Sequence, residues 1–143
     1  MTDRKFIINT SIVLYHTPIE ELQKVVKTLL QSNHIGEIFL IDNTEERDER
    51  YGKIEGTEWI WTGKNIGYGA AHNIGIRKSI RTGADYHLVI NSDIEFQPEV
   101  ISILSEYLET HRDVAQIMPK VLSPDGSNQH LAKLLPTPYD LIA

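Results

Sequence analysis

Short apolar runs alternate with segments of helical periodicity along most of this 143-residue chain. The runs are rich in β-branched, aromatic and leucine side chains, which favour strands. The predicted strands are Phe6–Tyr15, Glu37–Ile41, Trp59–Trp61, Tyr86–Ile90 and Val114–Val121. Three helices are predicted. The first begins at Pro18, the second spans Tyr68–Ile80, and the third begins at Pro98. This alternation predicts an α/β fold in which right-handed crossovers make the sheet mostly parallel.

Two of these segments also carry expectations about burial. The strand Tyr86–Ile90 is apolar on consecutive residues, which predicts a central parallel strand buried on both faces. Residues 44–56 are acidic, polar and irregular, and this pattern predicts a solvated loop. Neither segment reads as a linker, so residues 1–143 are interpreted as one domain.

Composition argues against several classes of protein. Hydrophobic residues make up 41% of the chain, and no apolar run is long enough to span a bilayer. The formal net charge of -6, without a basic stripe, is evidence against a nucleic-acid partner. The sequence contains no cysteine, which excludes disulfides and thiolate metal sites and favours a cytoplasmic location.

A glycine-rich turn leads into the helix predicted at Tyr68. The sequence Asn65-Ile-Gly-Tyr-Gly-Ala-Ala-His-Asn-Ile-Gly75 places two asparagines in this block. Glycines let a backbone approach a ligand closely, and a helix N-terminus offers free N–H groups to phosphate. A Rossmann dinucleotide fingerprint is the competing interpretation. It fits poorly, because His72 stands where a third small residue is required and the turn does not follow the first strand.

Candidate polar groups follow directly after four predicted strands. They are Tyr15, Asp42, the turn 65–69 and Asp93. Ligands of parallel α/β sheets bind beyond the carboxyl ends of the strands, so we expect these groups at one edge. Asp93 is placed to hold a hydrated cation on a nucleotide diphosphate, although such a residue also commonly bonds its own turn. Asp42 is interpreted as a turn cap or as an acceptor for a base N–H or a ribose hydroxyl.

Other polar residues near this edge have two interpretations each. Asn65 is either a left-handed turn residue or part of the ligand pocket. The amide of Asn73 is expected to face the cleft and to bond a phosphate or the turn at Asn91. His72 is interpreted as a packed or exposed histidine rather than a catalytic base, and Trp59–Trp61 as sheet residues rather than a sugar platform.

Four motifs match, in order, those of a known family. They are Thr10-Ser-Ile-Val-Leu-Tyr15, Leu40-Ile-Asp-Asn43, the glycine/asparagine block and Asn91-Ser-Asp93. The chain resembles the donor-binding half of family 2 glycosyltransferases, and within them the bacterial rhamnosyltransferase-like branch. The resemblance covers most of the chain, and its most specific motif is the glycine/asparagine block. It implies the GT-A fold, a Rossmann-like three-layer α/β/α arrangement around a mostly parallel sheet.

The resemblance assigns six residues to the binding of a dTDP- or UDP-sugar donor. They are Tyr15, Asp42, Asn65, Gly67, Asn73 and Asp93. Tyr15 and Asp42 would contact the nucleoside, and Asp93 would hold Mg2+ or Mn2+ on the diphosphate. The metal would neutralise the leaving diphosphate as the sugar–phosphate bond breaks.

The sequence departs from the family in two ways. Asn91 stands at the first place of the common Asp-x-Asp motif, so metal ligation would rest on Asp93. The family's acceptor half, with its acidic base, has no counterpart after Asp93, because neither Asp125 nor Asp140 lies in a matching motif. The chain is therefore interpreted as the donor-binding part of an inverting hexosyltransferase, without its catalytic base.

The resemblance also implies a biological setting. The complete enzyme would transfer a sugar, with rhamnose as one candidate, to a glycan or lipid-linked acceptor in cell-surface polysaccharide synthesis. It would be cytoplasmic, with attachment at the inner face of the membrane and homo-oligomerisation left open. Two rival classes also stay open: a non-catalytic nucleotide-binding or assembly module, and a nucleotidyltransferase. The latter needs a basic glycine-rich signature near the N-terminus that residues 8–17 lack.

Overall fold

The computed structural model describes residues 6–129 of the chain. Contacts between residues divide the chain after Ile103 into two compact units. Within the described range, the first unit covers residues 6–103 and the second covers residues 104–129.

Strands and helices alternate through the first unit. The elements are β1 (Ile8–Leu14), α1 (Ile19–Leu29), β2 (Ile35–Asp42), a 3-10 turn (Tyr51–Lys53), β3 (Glu58–Trp61), α2 (Tyr68–Thr82), β4 (Tyr86–Ile90) and the beginning of α3 (Glu99–Thr110). The strands form one sheet in the order β3-β2-β1-β4, and all neighbouring pairs are parallel. The predicted α/β class with a parallel sheet is confirmed.

Helices cover both faces of this sheet. Successive side chains of a strand point to opposite faces, so neighbouring residues of β2 enter different layers. Leu40 packs with Ile12 and with Leu22 of α1 in one core, whereas Phe39 packs with Ala71 of α2 in the other. The first unit therefore has the expected three-layer α/β/α arrangement, with α1 on one face and α2 on the opposite face.

The packing of α2 on β1 requires a glycine at position 75. An ideal Cβ on Gly75 would lie 2.7 Å from Cβ and 3.3 Å from Oγ of Ser11, and 3.4 Å from Cε1 of His87. The helix backbone thus approaches the strand more closely than a residue with a side chain allows. This close approach explains why Gly75, a residue of poor helix propensity, stands in the interior of α2.

We expect Gly75→Ala to lower the free energy of unfolding by about 1–3 kcal/mol, because its methyl group would overpack against Ser11. Gly69→Ala is the matched control in the same helix, since nothing lies within 4 Å of its added Cβ. The control should leave stability unchanged or raise it by up to about 1 kcal/mol. Urea denaturation followed by circular dichroism measures both values. Equal stability of the two variants would show that the close approach is not a constraint.

Two expectations about strands are wrong for the described residues. β4 is not central, because it lies at an edge of the described sheet and pairs with β1, and Val89 is 46% exposed. Residues 114–121 form no strand. An isolated antiparallel bridge joins Leu122 to Asn128 instead. Pro119 lacks an N–H donor and interrupts the pairing that a strand at 114–121 would need.

The second unit contains the end of α3 and a tight turn. The ring of Tyr107 stacks on His111 with 3.9 Å between the ring centroids. The turn is closed by the N–H of Gly126, which donates to the carbonyl oxygen of Ser123 at 2.8 Å. Asp125 belongs to this turn, and Asp140 lies outside the described residues. Among residues 6–129, no helix combines the length and the hydrophobicity needed to cross a membrane.

Candidate functional site

The carboxyl ends of the four parallel strands meet at one edge of the sheet. Tyr15 follows β1, Asp42 ends β2, the glycine turn follows β3, and Asp93 follows β4. These strand-end positions are the ones expected from the sequence. The side chains differ in what they contact. Some lie near a pocket between the segments that follow β1 and β2, and others lie near an open turn before α2 that bonds the segments after β2 and β4.

The pocket has a volume of about 300 Å³ and lies between the turn after β1 and the segment after β2. It is lined by His16, Thr17, Pro18, Ile19, Glu20, Thr44, Asp48, Arg50 and Tyr51. Tyr51 joins its two sides, because its hydroxyl donates to the carbonyl oxygen of Thr17 at 2.8 Å. Burial raises the pKa of Tyr51 above its ordinary value, and the nearby charges of Asp42 and Asp48 act in the same direction.

The segment 44–56 is mostly exposed, as its composition predicts, but it also places two apolar side chains in the core. Tyr51 is 3% exposed and Ile54 is 8% exposed, and both belong to the core beneath α1. Between Thr44 and Tyr51, two polar residues line the pocket, namely Asp48 and Arg50. Arg50 donates to Asp48 through two nitrogens, and these hydrogen bonds lower the pKa of Asp48.

The turn after β1 contains a left-handed residue at the pocket. His16 has φ 51°, and among the described residues it is the one non-glycine residue with positive φ. Such a backbone costs on the order of 1–3 kcal/mol and often marks a functional site. The turn is closed locally by the N–H of Tyr15, which donates to Oγ1 of Thr17 at 3.2 Å. The ring of Tyr15 is 51% exposed, so it is free to contact a ligand beside the pocket.

Asp42 lies beneath the pocket and does not line it. Its side chain is fully buried, at 0% exposure. One carboxylate oxygen accepts from the N–H of Thr44 at 3.0 Å and from its hydroxyl at 2.5 Å. The other accepts from the indole N–H of Trp59 at 3.2 Å. The expected contact between Asp42 and a base or ribose would require Thr44 to move.

The glycine turn presents an open helix N-terminus at the same edge. Gly67 has φ 87° and directly precedes α2, and its N–H donates to the side-chain oxygen of Asn65 at 2.9 Å. An added Cβ at Gly67 or Gly69 would meet no atom within 4 Å. The amide of Asn43 donates to the carbonyl oxygen of Gly67 at 3.4 Å. Asn65 therefore shapes the turn, and the space above both glycines is available to a ligand.

A tyrosine connects the glycine turn to the turn after β4. The hydroxyl of Tyr68 donates to the side-chain oxygen of Asn91 at 2.7 Å. Burial raises the pKa of Tyr68, and the negative charge of Asp93 adds to this effect. Asp93 is thus within electrostatic reach of the glycine turn. Asn73 is exposed on α2, and the bond to Asn91 that was expected of it is made by Tyr68.

Asp93 fits one common mode of metal binding. Among residues 6–129, no three His, Asp or Glu side chains are grouped so that they could hold a metal ion by themselves. Mg2+ is commonly bound through one or two carboxylates together with waters and substrate phosphates. The exposed carboxylate of Asp93, at a strand end beside an open turn, suits this mode. A metal there would depend on a phosphate-bearing ligand.

A buried histidine network on the α2 face was not predicted from the sequence. The hydroxyl of Ser11 lies 2.7 Å from Nδ1 of His72 and 2.7 Å from Nε2 of His87. The hydroxyl of Ser79 lies 2.6 Å from Nδ1 of His87 and donates to the carbonyl oxygen of Gly75. One assignment gives every proton an acceptor: His72 donates to Ser11, Ser11 to His87, and His87 to Ser79.

This network favours neutral histidines. Protonation of both rings would make each ring nitrogen beside Ser11 a donor, and the hydroxyl proton of Ser11 would lose its imidazole acceptor. Burial lowers the pKa of His72 to about 4. Burial also lowers the pKa of His87 to about 4, and the neighbouring His72 adds to the effect. Within the described residues, Nε2 of His72 has no hydrogen-bond partner, and a neutral ring can leave a lone pair there.

We expect stability to fall as the pH is lowered from about 6.5 towards 4. The unfolded chain gains protons near pH 6.5, whereas the folded chain resists protonation of His72 and His87 until about pH 4. The contribution of the two histidines to the free energy of unfolding is therefore fully present above the unfolded pKa. Its loss reaches at most about 3 kcal/mol per histidine near pH 4. Urea unfolding at several pH values measures this slope.

His72→Asn keeps a donor to Ser11 without a titrating ring, so it should show a shallower dependence on pH. His111→Gln changes an exposed histidine in the second unit and should keep the wild-type slope. A pH profile that is the same for all three proteins would contradict the role of the network.

The chain is similar in sequence to one known protein and in fold to a solved structure. No protein-family model matches the chain. The chain is 29% identical over 100 residues to the dTDP-rhamnosyl transferase RfbF of Shigella flexneri, and the match covers 68% of this chain and 33% of that protein. Similarity to this protein supports a transferase. The chain spans about a third of the length of this curated relative.

A solved structure shares the fold. It is a CMP:2-keto-3-deoxy-manno-octonic acid synthetase complexed with CTP, and the TM-score is 0.55 at 16% sequence identity. The match covers 77% of this chain and 49% of that chain. At this identity the likeness shows the fold alone, and it agrees with the Rossmann-like α/β arrangement described above.

Proposed function

We propose that this chain is the donor-binding part of a glycosyltransferase and binds a nucleoside-diphosphate sugar at the carboxyl edge of its sheet. The observation that carries the proposal is the presence of a pocket and an open glycine turn at that edge. Consecutive residues connect them, since Thr44 lines the pocket and Asn43 bonds the turn. The similarity to RfbF supports this class of activity and suggests a dTDP-sugar as donor.

In this proposal the nucleoside occupies the pocket and the diphosphate extends to the glycine turn. The ring of Tyr15 and the turn after it contact the base. The first N–H groups of α2 face the diphosphate, because a helix N-terminus favours anions. Asn65 and Gly67 shape this turn, and the exposed side chain of Asn73 lies one helical turn further along α2.

A divalent cation completes the proposed diphosphate site. Asp93 would hold Mg2+ or Mn2+, with waters and phosphate oxygens as the remaining ligands. The metal would stabilise negative charge on the leaving diphosphate. Asn91 accepts from Tyr68, and Asp93 is the first carboxylate that follows it after β4.

The transfer step itself belongs to the proposal through the resemblance to family 2 enzymes. An acceptor hydroxyl on a glycan or a lipid-linked sugar would displace the nucleoside diphosphate with inversion, and a carboxylate would take its proton. We assign no residue to that base. The proposed setting remains cell-surface polysaccharide synthesis.

A nucleotidyltransferase is the second candidate, because the structural neighbour is a synthetase complexed with CTP. The turn after β1 reads Tyr-His-Thr-Pro and offers neither a glycine nor a lysine or arginine to a triphosphate. This turn favours the glycosyltransferase. Release of pyrophosphate from CTP in the presence of a sugar acid would favour the second candidate.

We expect dTDP or UDP to bind about tenfold more tightly with Mn2+ than with EDTA, because the site has little positive charge of its own. Asp93→Asn should remove this difference and keep the fold. Glu95→Gln removes the same charge two residues away from Asp93 and is the matched control, which should behave as the wild type. Isothermal titration calorimetry measures all affinities. Equal affinity of the wild type in both buffers would contradict the metal site.

Side chains added at Gly69 should weaken nucleotide binding in proportion to their size. The space next to its Cα position is open in the free protein, so a larger group would occupy the volume proposed for the diphosphate. Gly69→Ala should bind dTDP slightly more weakly, and Gly69→Val about tenfold more weakly. The unfolding midpoints should differ far less than the affinities. Unchanged binding by both variants would mean that the turn is merely a connection.

A further inference from the structure

One wall of the pocket is a chain segment without regular structure of its own. Residues between Thr44 and Tyr51 supply four of the nine lining residues, namely Thr44, Asp48, Arg50 and Tyr51. Such a wall needs external contacts to keep one conformation, because unsupported segments open easily. The buried ring of Tyr51 holds one end of the segment.

The other end, at Thr44, is held by two tryptophans of β3. The indole N–H of Trp61 donates to the carbonyl oxygen of Thr44 at 2.9 Å. The indole N–H of Trp59 donates to Asp42, whose other oxygen accepts from Thr44. Both indoles therefore act on Thr44, directly or through one carboxylate. Neither tryptophan lines the pocket.

An arginine of the wall packs against the same two rings. The guanidinium carbon of Arg47 lies 4.9 Å from the ring centroid of Trp59 and 5.6 Å from that of Trp61. Arg47 also pairs with Glu49 at 2.6 Å. Cation–π contacts of this kind fix the middle of the segment to β3. The wall thus has contacts with β3 at Thr44 and at Arg47.

We propose that Trp59 and Trp61 are positioning residues for the nucleoside pocket. They hold the wall 44–51 in the shape that receives the base, and they do so without touching the ligand. Asp42 is a positioning residue of the same kind: it fixes Thr44 and is not itself the acceptor for the base. This inference rests on the proposed binding of a nucleoside diphosphate.

The proposal has a direct spectroscopic consequence. The sequence contains two tryptophans, and both make hydrogen bonds that hold the wall 44–51. Trp61 is 38% exposed beneath Arg47, so its environment depends on how the wall lies. Binding of dTDP or UDP should therefore change the tryptophan emission of the protein, although no tryptophan contacts the nucleotide.

The first test is Trp61→Phe, which keeps an aromatic ring and loses the N–H that Thr44 accepts. We expect dTDP to bind about three- to tenfold more weakly, the size of one lost neutral hydrogen bond. The unfolding midpoint should change little, because Trp61 is partly exposed. Glu58→Gln is the matched control on the same strand: it weakens the ion pair with Lys78 and should leave binding unchanged.

Each outcome of this test has one meaning. If the wild type binds neither dTDP nor UDP, the proposed function fails and the inference fails with it. If the wild type binds and Trp61→Phe binds equally well, the inference alone is overturned. Binding by the wild type without any change in tryptophan emission would also overturn it.

The second test separates positioning from direct contact at Asp42. Within residues 6–129, the groups that hydrogen-bond to this carboxylate are all donors: the N–H and hydroxyl of Thr44 and the indole N–H of Trp59. Asp42→Asn must place its amide N–H₂ against one of them, so nucleotide binding should fall about tenfold or more. Adding Trp59→Phe removes the opposing donor. If Asp42 acts by positioning, the double variant should bind more tightly than Asp42→Asn and about as well as Trp59→Phe alone, because both lack the indole donor.

The single variant Trp59→Phe keeps the experiment informative if Asp42→Asn fails to fold. It leaves the second oxygen of Asp42 without the indole donor, and we expect dTDP to bind about three- to tenfold more weakly. A double variant that folds and still binds as weakly as Asp42→Asn would show that the carboxylate itself contacts the nucleoside. That result would overturn the positioning role, as would wild-type affinity of Trp59→Phe.

Discussion

The candidate site depends on a buried carboxylate at the end of β2. Burying a carboxylate is unfavourable unless donors satisfy it, and Asp42 is fully buried among the N–H and hydroxyl of Thr44 and the indole of Trp59. Its carbonyl oxygen also accepts from Thr62, which directly follows β3 and precedes the glycine turn. One residue therefore fixes the pocket wall, a neighbouring strand and the approach to α2.

The order of strands and helices was predictable because periodicity reports burial. Leu22, Val25, Val26 and Leu29 recur at helical spacing, and all four are buried in α1. Periodicity does not report neighbours, however, so the apolar run of β4 was assigned to the centre of the sheet although it forms an edge of the described part. At 114–121 the apolar content favoured a strand, but Pro119 breaks the donor pattern that pairing needs.

The strand-end positions of the site were predictable, but the contacts that organise them were not. Parallel strands place Tyr15, Asp42 and Asp93 at one edge whatever their side chains contact. The burial of Asp42 depends on Trp59, which is distant in sequence. The apolar pair Tyr51 and Ile54, three residues apart in a polar segment, was a signal that this segment packs on the core.

The contact between Ser11 and Gly75 ties two positions of the chain to each other over evolutionary time. A larger residue at 75 needs a smaller one at 11, yet a glycine at 11 would deprive His72 and His87 of the hydroxyl that they share. No single substitution can relax this packing without loss elsewhere. We therefore expect positions 11 and 75 to vary together among proteins with this packing. The start of α2 at the glycine turn should stay in place while the residues around the pocket vary.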